Sequence, residues 1–486
     1  MIFEPLFANA QQEPSHVAVI DDHGQFTYQQ VAAMAAGLGM YLAMQTEKPR
    51  IGLMLPPGVG FVASFYGTLL SGKTAVPMNY LLGDKELAHI VKDSDIDTVV
   101  TVPFFMPRLK DLPVKTIDLM QLPRDIPPIE PEFPTPKADD IAVLLYTSGT
   151  SGMPKGVLLT YGNLQSDVDA AIEAAQLQHK HTFLGIIPLF HSFGLTAMML
   201  APIQLGATII YIARFSPVAT LNALRQHKAS LVFGIPSMFA AILRLKDAKP
   251  EDFAPIYAMI SGGEPLPSTL REAFKQRFGV PLYEGYGLTE TSPVVSLNVP
   301  HSNRPGSVGR MVPGAEARIT DDNGNPVSQG QIGEIWLKGA MIMKGYHNLP
   351  NETSAVLTAD RYFKTGDLGM LDADAFLHIT GRKKDMIIVS GEKAFPREIE
   401  EVLMRHPAVS EAAVVGKKDP GRGEVVVAFV IPRDGLSVQA DELRDFARNH
   451  GLAQWKVPRE IFVVSDLPRN PTGKVLKREL AQKVNA

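Results

Sequence analysis

Residues 146–157, YTSGTSGMPKGV, form the stretch around which the chain is organised. Apolar segments that predict strands flank it at residues 141–146 and 157–160. The stretch holds glycines, hydroxyl side chains and one cation, and its candidate phosphate ligands are Thr147, Ser148, Gly149, Thr150 and Lys155. Glycines let the backbone approach a ligand closely, and free N–H groups, hydroxyls and a lysine together surround phosphate oxygens. The stretch therefore predicts a phosphate-binding loop, with a plain Ser/Gly turn as the alternative.

The order of residues in this loop excludes a Walker A sequence. In that motif the lysine follows a glycine, precedes Ser or Thr and begins a helix. Here Gly156 follows Lys155, and a predicted strand comes next. The loop is therefore expected between two strands, on a fold that differs from the P-loop NTPases.

Composition narrows the class of protein. The chain has 486 residues, which is too long for a single core and predicts two or more domains. Its net charge of −4 implies no basic surface for nucleic acid. It contains no cysteine, which excludes disulfides, thiolate metal sites and a cysteine nucleophile. Any thiol that takes part in a reaction must therefore come from another molecule.

The expected compartment is the cytoplasm. The first ten residues, MIFEPLFANA, contain no basic residue, so no signal peptide is predicted. Residues 182–213 contain no Asp, Glu, Lys or Arg, but Pro188, Gly194 and Pro202 interrupt this stretch. The pattern indicates a buried α/β core and not a membrane span. The sequence leaves peripheral membrane contact open, and equally a monomer or a homodimer.

The periodicity predicts an α/β protein with a large and a small domain. Helix and strand patterns alternate over residues 1–123, including a helix at 29–44 and a strand at 50–55, which is typical of a parallel sheet. Short alternating runs between Gly-rich turns over about residues 300–380 predict a small antiparallel or barrel-like unit. We expect an N-terminal domain over residues 1–382 and a separate C-terminal domain over 383–486.

A second motif, PLYEGYGLTET at residues 281–291, combines a predicted strand with a Gly-X-Gly turn, an aromatic ring and an acid. Tyr286 could stack on a purine, and Thr289 could reach the α-phosphate. Glu290 could hold Mg²⁺, a hard cation that prefers carboxylate and phosphate oxygens. The alternative is an irregular strand followed by a surface Thr-Glu cap.

Other candidates follow predicted strands. His191 lies in the apolar segment IIPLFHSFGL, where a core histidine is the alternative. Gly262, Gly263 and Glu264 follow a predicted strand and precede a helix, a position where open α/β sheets bind ligands, although a plain turn has the same pattern. Asp367 ends YFKTGD and could accept hydrogen bonds from both ribose hydroxyls, or could be a solvated turn residue.

These segments, together with residues 333–339, 381–400 and 468–474, resemble in order and spacing the motifs of the adenylate-forming superfamily. The resemblance covers about residues 20–482 and is strongest to the acyl-CoA synthetase branch. It implies a large domain of α/β sheets with a small β-barrel, and a smaller mobile C-terminal domain. The cofactor and co-substrates that it implies are Mg²⁺, ATP and coenzyme A.

The resemblance also assigns roles to individual residues. It implies catalysis by Lys474, Thr289 and His191, metal binding by Glu290, a hinge at Lys384 and a coenzyme A path at Gly391. The implied acyl pocket comprises His191, Phe233, Gly234, Gly287 and Leu288. The implied ATP and AMP ligands are Thr147, Ser148, Gly149, Thr150, Lys155, Gly262, Gly263, Glu264, Glu284, Gly285, Tyr286, Gly287, Thr289, Asp367, Arg382 and Lys474.

The implied reaction joins a carboxylic acid to a thiol through an acyl adenylate. Amino-acid-activating members of the superfamily carry an Asp near His191, and residues 190–192 here are Phe, His and Ser, which argues against an amino acid. The implied pocket residues are mostly apolar, which favours a fatty or aromatic acid, and a medium- or long-chain fatty acid is the first expectation. An aryl-CoA ligase and an acyl–carrier-protein ligase share the same motifs and stay open. A homologue that only binds acyl adenylates would be expected to lack Lys474 or Glu290.

Overall fold

The computed structural model describes residues 1–122, 134–147, 153–469 and 475–485, and it confirms the α/β alternation of the N-terminal part. The helix predicted at residues 29–44 spans Tyr28–Ala43, and the strand predicted at 50–55 spans Arg50–Met54. The Thr27 side chain accepts a hydrogen bond from the backbone N–H of Gln30, and the Gln30 side chain accepts one from the backbone N–H of Thr27. This reciprocal cap satisfies backbone donors that would otherwise be free at the start of the helix.

The helices and strands are numbered here in chain order. Those up to the phosphate loop are α1 Glu4–Gln12, β1 Val17–Asp21, β2 Gly24–Thr27, α2 Tyr28–Ala43, β3 Arg50–Met54, α3 Val59–Leu70, β4 Thr74–Pro77, α4 Asp84–Ser94, β5 Thr98–Thr101, β6 Lys115–Asp118 and β7 Ile141–Thr147. Those that complete the large sheets are β8 Lys155–Thr160, α5 Tyr161–Ala175, β9 Thr182–Gly185, α6 Ser192–Leu195, α7 Ala201–Leu205, β10 Thr208–Tyr211, α8 Pro217–His227, β11 Leu231–Gly234, α9 Pro236–Leu243, β12 Ala258–Ser261, α10 Ser268–Phe278, β13 Leu282–Gly287 and β14 Val294–Leu297. The remaining elements are β15 Arg310–Met311, β16 Glu316–Thr320, β17 Gly333–Lys338, β18 Gly345–Tyr346, α11 Pro350–Val356, β19 Phe363–Leu371, β20 Leu377–Arg382, β21 Ile387–Val389, β22 Glu392–Ala394, α12 Pro396–Met404, β23 Val409–Asp419, β24 Gly423–Pro432, α13 Ala440–Asn449, β25 Glu460–Val463 and α14 Lys477–Asn485.

Single helical turns lie between several of these elements. A π-helical turn, Thr196–Leu200, joins α6 to α7. The 3-10 turns lie at Met106–Arg108, Leu119–Gln121, Pro250–Phe253, Thr289–Thr291 and Lys383–Asp385.

Two large sheets carry the N-terminal part. The first has the strand order β15-β14-β13-β12-β11-β9-β10-β1-β2, and the second has the order β18-β8-β7-β4-β3-β5-β6. The neighbouring strands β9, β11, β12 and β13 run parallel to one another, so their carboxyl ends meet at one edge. The segments that follow these strands are therefore brought together there.

Residues 182–213 form buried core, as predicted. They contain β9, the π-helical turn and β10, and the side chains of Phe183, Met198 and Ile209 have no exposed surface. Burying an apolar side chain of this size stabilises the fold by roughly 1.5–3 kcal/mol. Within the described ranges, the protein has no helix with both the length and the apolar character needed to cross a membrane.

Smaller sheets follow in the C-terminal third. Strands β16-β17-β19-β20 form an antiparallel sheet within the region where an antiparallel unit was expected. Strands β22-β21-β24-β23, with β25 alongside β24, form another sheet. Helices α12 and α13 cover this second sheet and share with it a separate hydrophobic core that includes Ile399, Val426 and Leu443. The protein therefore has a large N-terminal domain and a smaller C-terminal domain.

Candidate active site

Three of the predicted nucleotide ligands meet in one hydrogen-bonded cluster. The Tyr286 hydroxyl donates to Asp367 Oδ2 at 2.6 Å, and Arg382 Nε lies 2.8 Å from Asp367 Oδ1. Asp367 and Arg382 face each other because they are register partners in the antiparallel pair β19–β20. Tyr286 reaches them from β13, at the carboxyl edge of the first large sheet. Strands from two different sheets therefore build the cluster.

Electrostatics keep the Tyr286 hydroxyl neutral and the Arg382 guanidinium charged. Burial first, and then the Asp367 carboxylate, raise the pKa of Tyr286 well above its usual value, so its hydroxyl remains a donor. Burial opposes the charge on Arg382, but the Asp367 carboxylate and other nearby acids outweigh it, and the pKa of the guanidinium is raised. The cluster is a neutral donor, a carboxylate and a cation, an arrangement that can receive ribose hydroxyls and phosphate charge.

The turn after Tyr286 is held tightly. A Cβ at Gly287 would lie 2.0 Å from the carbonyl oxygen of Pro293, so only glycine fits. The backbone N–H of Leu288 donates to the same carbonyl at 3.1 Å. Thr289 follows, and its hydroxyl lies 3.3 Å from that of Ser192. This contact brings Thr289 beside the segment that contains His191.

The predicted metal ligand has an orienting partner that the sequence analysis missed. Tyr346 donates its hydroxyl to Glu290 Oε1 at 2.8 Å. The ring of Tyr346 also meets Lys155, whose Nζ lies 5.4 Å from the ring centroid. Lys155 is in addition ion-paired with Glu352 on α11. Tyr346 therefore links the phosphate-loop lysine to the acid predicted to hold Mg²⁺.

Glu290 fits the requirements of a magnesium site. Mg²⁺ usually takes one or two carboxylates together with substrate phosphates and water. Glu290 offers one partly exposed carboxylate, and Lys155 of the phosphate loop lies against the same tyrosine, Tyr346. Among the residues described, no group of three or more His, Asp or Glu could hold a metal ion.

Aromatic rings lie among the residues of the predicted acyl pocket. Phe233 at the end of β11 is buried, and its ring meets Phe193 edge to face with centroids 6.0 Å apart. Phe193 in turn lies against Gly262, where an added Cβ would be 3.0 Å from its Cε1. His191 precedes α6, is exposed, and lies beside Phe190 with ring centroids 6.2 Å apart. The predicted pocket residues thus lie on neighbouring elements. Phe193, which the sequence analysis did not name, lies among them.

The predicted nucleotide ligands at residues 262–264 follow β12, beside the same strands. Gly262 is buried, Glu264 is partly exposed, and Gly263 has a φ of +77°, a conformation that favours glycine. Glu284 in β13 is 4% exposed and accepts a hydrogen bond from the backbone N–H of Leu266 at 3.1 Å. The segment that follows β12 is therefore hydrogen-bonded to β13 at Glu284, two residues before Tyr286. Gly285, which follows Glu284, packs against Leu297.

Several predicted site residues are not in this cluster. Gly391 forms the turn between β21 and β22, and the groove beside it is lined by residues of the smaller domain such as Lys418 and Arg422. Lys384 is exposed in the 3-10 turn that follows β20. The predicted ligands Ser148, Gly149, Thr150 and Lys474 lie outside the described residues.

The missed residues have weak signals in the sequence. Tyr346 pairs with Val157 at the edge of the second large sheet, and this pairing between residues far apart in the chain brings it to the phosphate loop. Phe193 belongs to the apolar segment IIPLFHSFGL, where nothing distinguishes it from a core residue. An aromatic residue next to a glycine, as in Gly345-Tyr346, would have been the available signal.

Comparison with known proteins agrees with this geometry. Residues 6–347 match the AMP-binding enzyme family, and residues 398–474 match the AMP-binding enzyme C-terminal domain. The chain is 33% identical to a long-chain-fatty-acid–CoA ligase of Bacillus subtilis, over 98% of this chain and 93% of that protein. It is also 33% identical to a feruloyl-CoA synthase of an Amycolatopsis species, over 98% of this chain and 97% of that protein.

A solved structure covers nearly the whole chain. ATP-bound MatB from Rhodopseudomonas palustris superposes with a TM-score of 0.93 at 27% identity, over 99% of this chain and 98% of that one. The apo form of the same protein superposes with a TM-score of 0.82 over the same shares of the chains. The overall structure of this chain is thus more similar to the ATP-bound form of that protein than to its apo form.

Proposed function

Because this chain belongs to the AMP-binding enzyme family, we propose that it is an ATP-dependent acid–thiol ligase that converts a carboxylic acid into its coenzyme A thioester. The observation that carries the proposal is the cluster of Tyr286, Asp367 and Arg382, beside which Thr289 and Glu290 follow on the same turn. A purine, a ribose and an α-phosphate can be received there in that order.

The first half-reaction joins two anions. The acid carboxylate attacks the α-phosphorus of ATP, the bond to the β,γ-phosphates breaks, and pyrophosphate leaves. This step needs positive charge and positioned donors where negative charge develops. Asp367 would hold the ribose hydroxyls, and Arg382 and Thr289 would act at the phosphate. Lys155, with residues 147–150, would bind the β,γ-phosphates.

Other residues complete the charge balance. Lys474 would bridge the carboxylate and the α-phosphate. Mg²⁺, when bound, supplies further positive charge at the phosphates, and Glu290 is the residue that would hold it. The Tyr346 hydroxyl keeps the Glu290 carboxylate in one orientation through their 2.8 Å hydrogen bond.

The second half-reaction transfers the acyl group. The thiol of coenzyme A attacks the acyl carbonyl of the adenylate, a thioester forms, and AMP leaves. We propose domains at residues 1–382 and 383–486, with rotation of the smaller one about Lys384 between the two steps. The rotation would bring the turn at Gly391 towards the site. The groove beside that turn is lined by residues of the smaller domain, away from the nucleotide cluster. The smaller domain would therefore have to rotate before this groove could face the acyl adenylate.

The proposed acid is apolar. The rings of Phe190, Phe193 and Phe233 would form apolar walls, and these rings themselves offer no counter-charge for a substrate amine. A medium- or long-chain fatty acid is the first candidate. An aryl acid is the second, because the edge-to-face pair of Phe193 and Phe233 beside Gly262 offers ring faces suited to a flat substrate.

The test is pyrophosphate release from ATP and Mg²⁺ across short, medium and long fatty acids, benzoates, cinnamates and amino acids, each with and without coenzyme A. Release that requires a fatty or aryl acid, with thioester formed only when coenzyme A is present, is the expected result. Adenylate that forms but never reaches coenzyme A would instead indicate a carrier-protein thiol. No release with any acid, although ATP binds, would favour a homologue that only binds acyl adenylates.

A further inference from the structure

Arg397 in the first turn of α12 reaches from the smaller domain to the large one. Its Nη1 donates to the backbone carbonyl of Ile379 at 3.0 Å, and its Nη2 lies 3.5 Å from Glu284 Oε1. The side chains of Arg397 and Glu284 are 12% and 5% exposed. The Nε of Arg397 lies 3.0 Å from Glu401, one turn along the same helix. The guanidinium is therefore shared between α12, β20 and β13.

Arg397 partly offsets the cost of burying the Glu284 carboxyl. Burial raises the pKa of the Glu284 carboxyl, and Arg397 is the strongest of the groups that oppose the rise. The backbone N–H of Leu266 and the charge of Arg271 also lower the pKa, whereas Glu401 raises it. Among the described residues, none completes a hydrogen bond to Glu284 Oε2, although that atom is buried. Removal of Arg397 would leave a buried carboxyl without its main counter-charge, which is costly.

The position of Glu284 makes the contact relevant to the reaction. Glu284 lies two residues before Tyr286 on β13, and it binds the backbone just beyond the segment 262–264. Arg397 thus contacts the strand that carries the nucleotide cluster. Another ion pair between the domains, Lys393 with Asp322 at 3.6 Å, is exposed on both sides. Exposed pairs of this kind contribute little. Lys383 with Glu334 at 3.1 Å lies beside the proposed hinge itself, so Arg397 with Glu284 is the buried pair at a distance from the hinge.

We propose that Arg397 is a positioning residue for adenylate formation. Its buried ion pair with Glu284 holds the smaller domain against β13 in the arrangement that serves the first half-reaction, and the pair separates when the domain rotates for thioester formation. The greater similarity of this chain to an ATP-bound relative than to the apo form of that relative agrees with the assignment. The inference rests on the proposed function and adds to it a specific contact that controls which step the enzyme can perform.

The first test is Arg397→Met, which keeps an unbranched apolar stem and removes the guanidinium with its charge. Acid-dependent exchange of pyrophosphate into ATP is expected to fall at least tenfold. Thioester formation from pre-made acyl adenylate should keep its wild-type rate or exceed it. The control is Lys456→Met, which breaks an ion pair with Glu398 on the same helix and leaves the large domain untouched. An equal fall in both half-reactions of Arg397→Met, or the same split in Lys456→Met, would overturn the proposal.

A second variant separates the ion pair from general damage to the fold. Glu284→Gln needs no counter-charge, so Arg397→Met is expected to cost less than threefold in adenylate formation when added to that variant. Coupling of this kind is what a double-mutant cycle measures. A tenfold or greater fall in both backgrounds would show that Arg397 does not act through Glu284.

A readout without turnover distinguishes failure of this inference from failure of the proposed function. The chain has no cysteine, so Lys180→Cys and Asp434→Cys, at exposed positions of the two domains, give unique sites for a fluorescent pair. With ATP and Mg²⁺ present, the wild type is expected to occupy mainly one energy-transfer state, and Arg397→Met is expected to lose at least half of it. Equal occupancy in both proteins would overturn the inference whether or not any acid is activated.

Discussion

Tyr346 allows the sharpest test of the candidate site, because one hydroxyl can be removed while its ring stays in place. The change is Tyr346→Phe. The lost contact is the 2.8 Å hydrogen bond from the Tyr346 hydroxyl to Glu290 Oε1. Burial first, and then the Glu290 charge, raise the pKa of this phenol, so it donates throughout the assay range. The phenylalanine ring would still face Lys155, which limits the change to one bond.

The expected size of the effect follows from that bond. A hydrogen bond to a charged group contributes about 1.5–3 kcal/mol. At about 1.4 kcal/mol for each factor of ten, this corresponds to roughly a tenfold to hundredfold change. Residues that orient a metal ligand have effects of about this size on metal affinity or activity. We therefore expect the Mg²⁺ concentration for half-maximal pyrophosphate exchange to rise by about that factor.

The assay is a titration of Mg²⁺ at saturating ATP and acid, with exchange of pyrophosphate as the readout. The matched control is Tyr257→Phe, which removes a 3.0 Å hydrogen bond to the carbonyl of Ala175, away from Glu290. That variant should retain the Mg²⁺ dependence of the wild type. If Tyr346→Phe also retained it, or if both variants shifted equally, the link from Tyr346 through Glu290 to the metal would be refuted.

Three further predictions concern other parts of the protein. In Lys474→Ala, the rate of adenylate formation should fall on the order of a hundredfold or more, as for loss of a transition-state stabiliser. Thioester formation from pre-made adenylate should be kept, and equal loss in both half-reactions would contradict the proposed role of Lys474. Asp367→Ala should raise the KM for ATP with a smaller effect on the KM for the acid, because the partner of Tyr286 and Arg382 is lost; an unchanged KM for ATP would remove its ribose role. Asp167 is fully buried, and burial raises the pKa of its carboxyl well above the usual value. The protonated Asp167 carboxyl therefore contributes its full stabilisation below the unfolded pKa of about 3.9. As the pH rises from there towards the folded pKa, the free energy of unfolding falls by about 1.4 kcal/mol for each pH unit. In urea unfolding, Asp167→Asn should become more stable relative to the wild type between pH 5 and pH 8, whereas a constant difference would show that Asp167 does not titrate.

Much of the candidate site could be predicted from the sequence because its signals are local. The phosphate loop, the turn at Tyr286 and the glycines after β12 each combine an apolar strand with residues that permit close approach of a ligand. The order of these segments along the chain was enough for the family resemblance, and the family matches confirm it. The substrate was not determined in this way, since relatives equally similar to this chain are named for a fatty acid and for an aryl acid.

The sequence by itself determined the α/β fold class, the presence of a large and a smaller domain and the segments that carry the chemistry, because periodicity and loop composition act within a few residues. The tertiary structure alone decided which side chains meet. Strand register pairs Asp367 with Arg382, the sheet edge places Tyr346 beside Lys155 and Glu290, and domain packing sets Arg397 against Glu284. Contacts between residues far apart in the chain depend on register and packing over the whole fold, which no local pattern encodes.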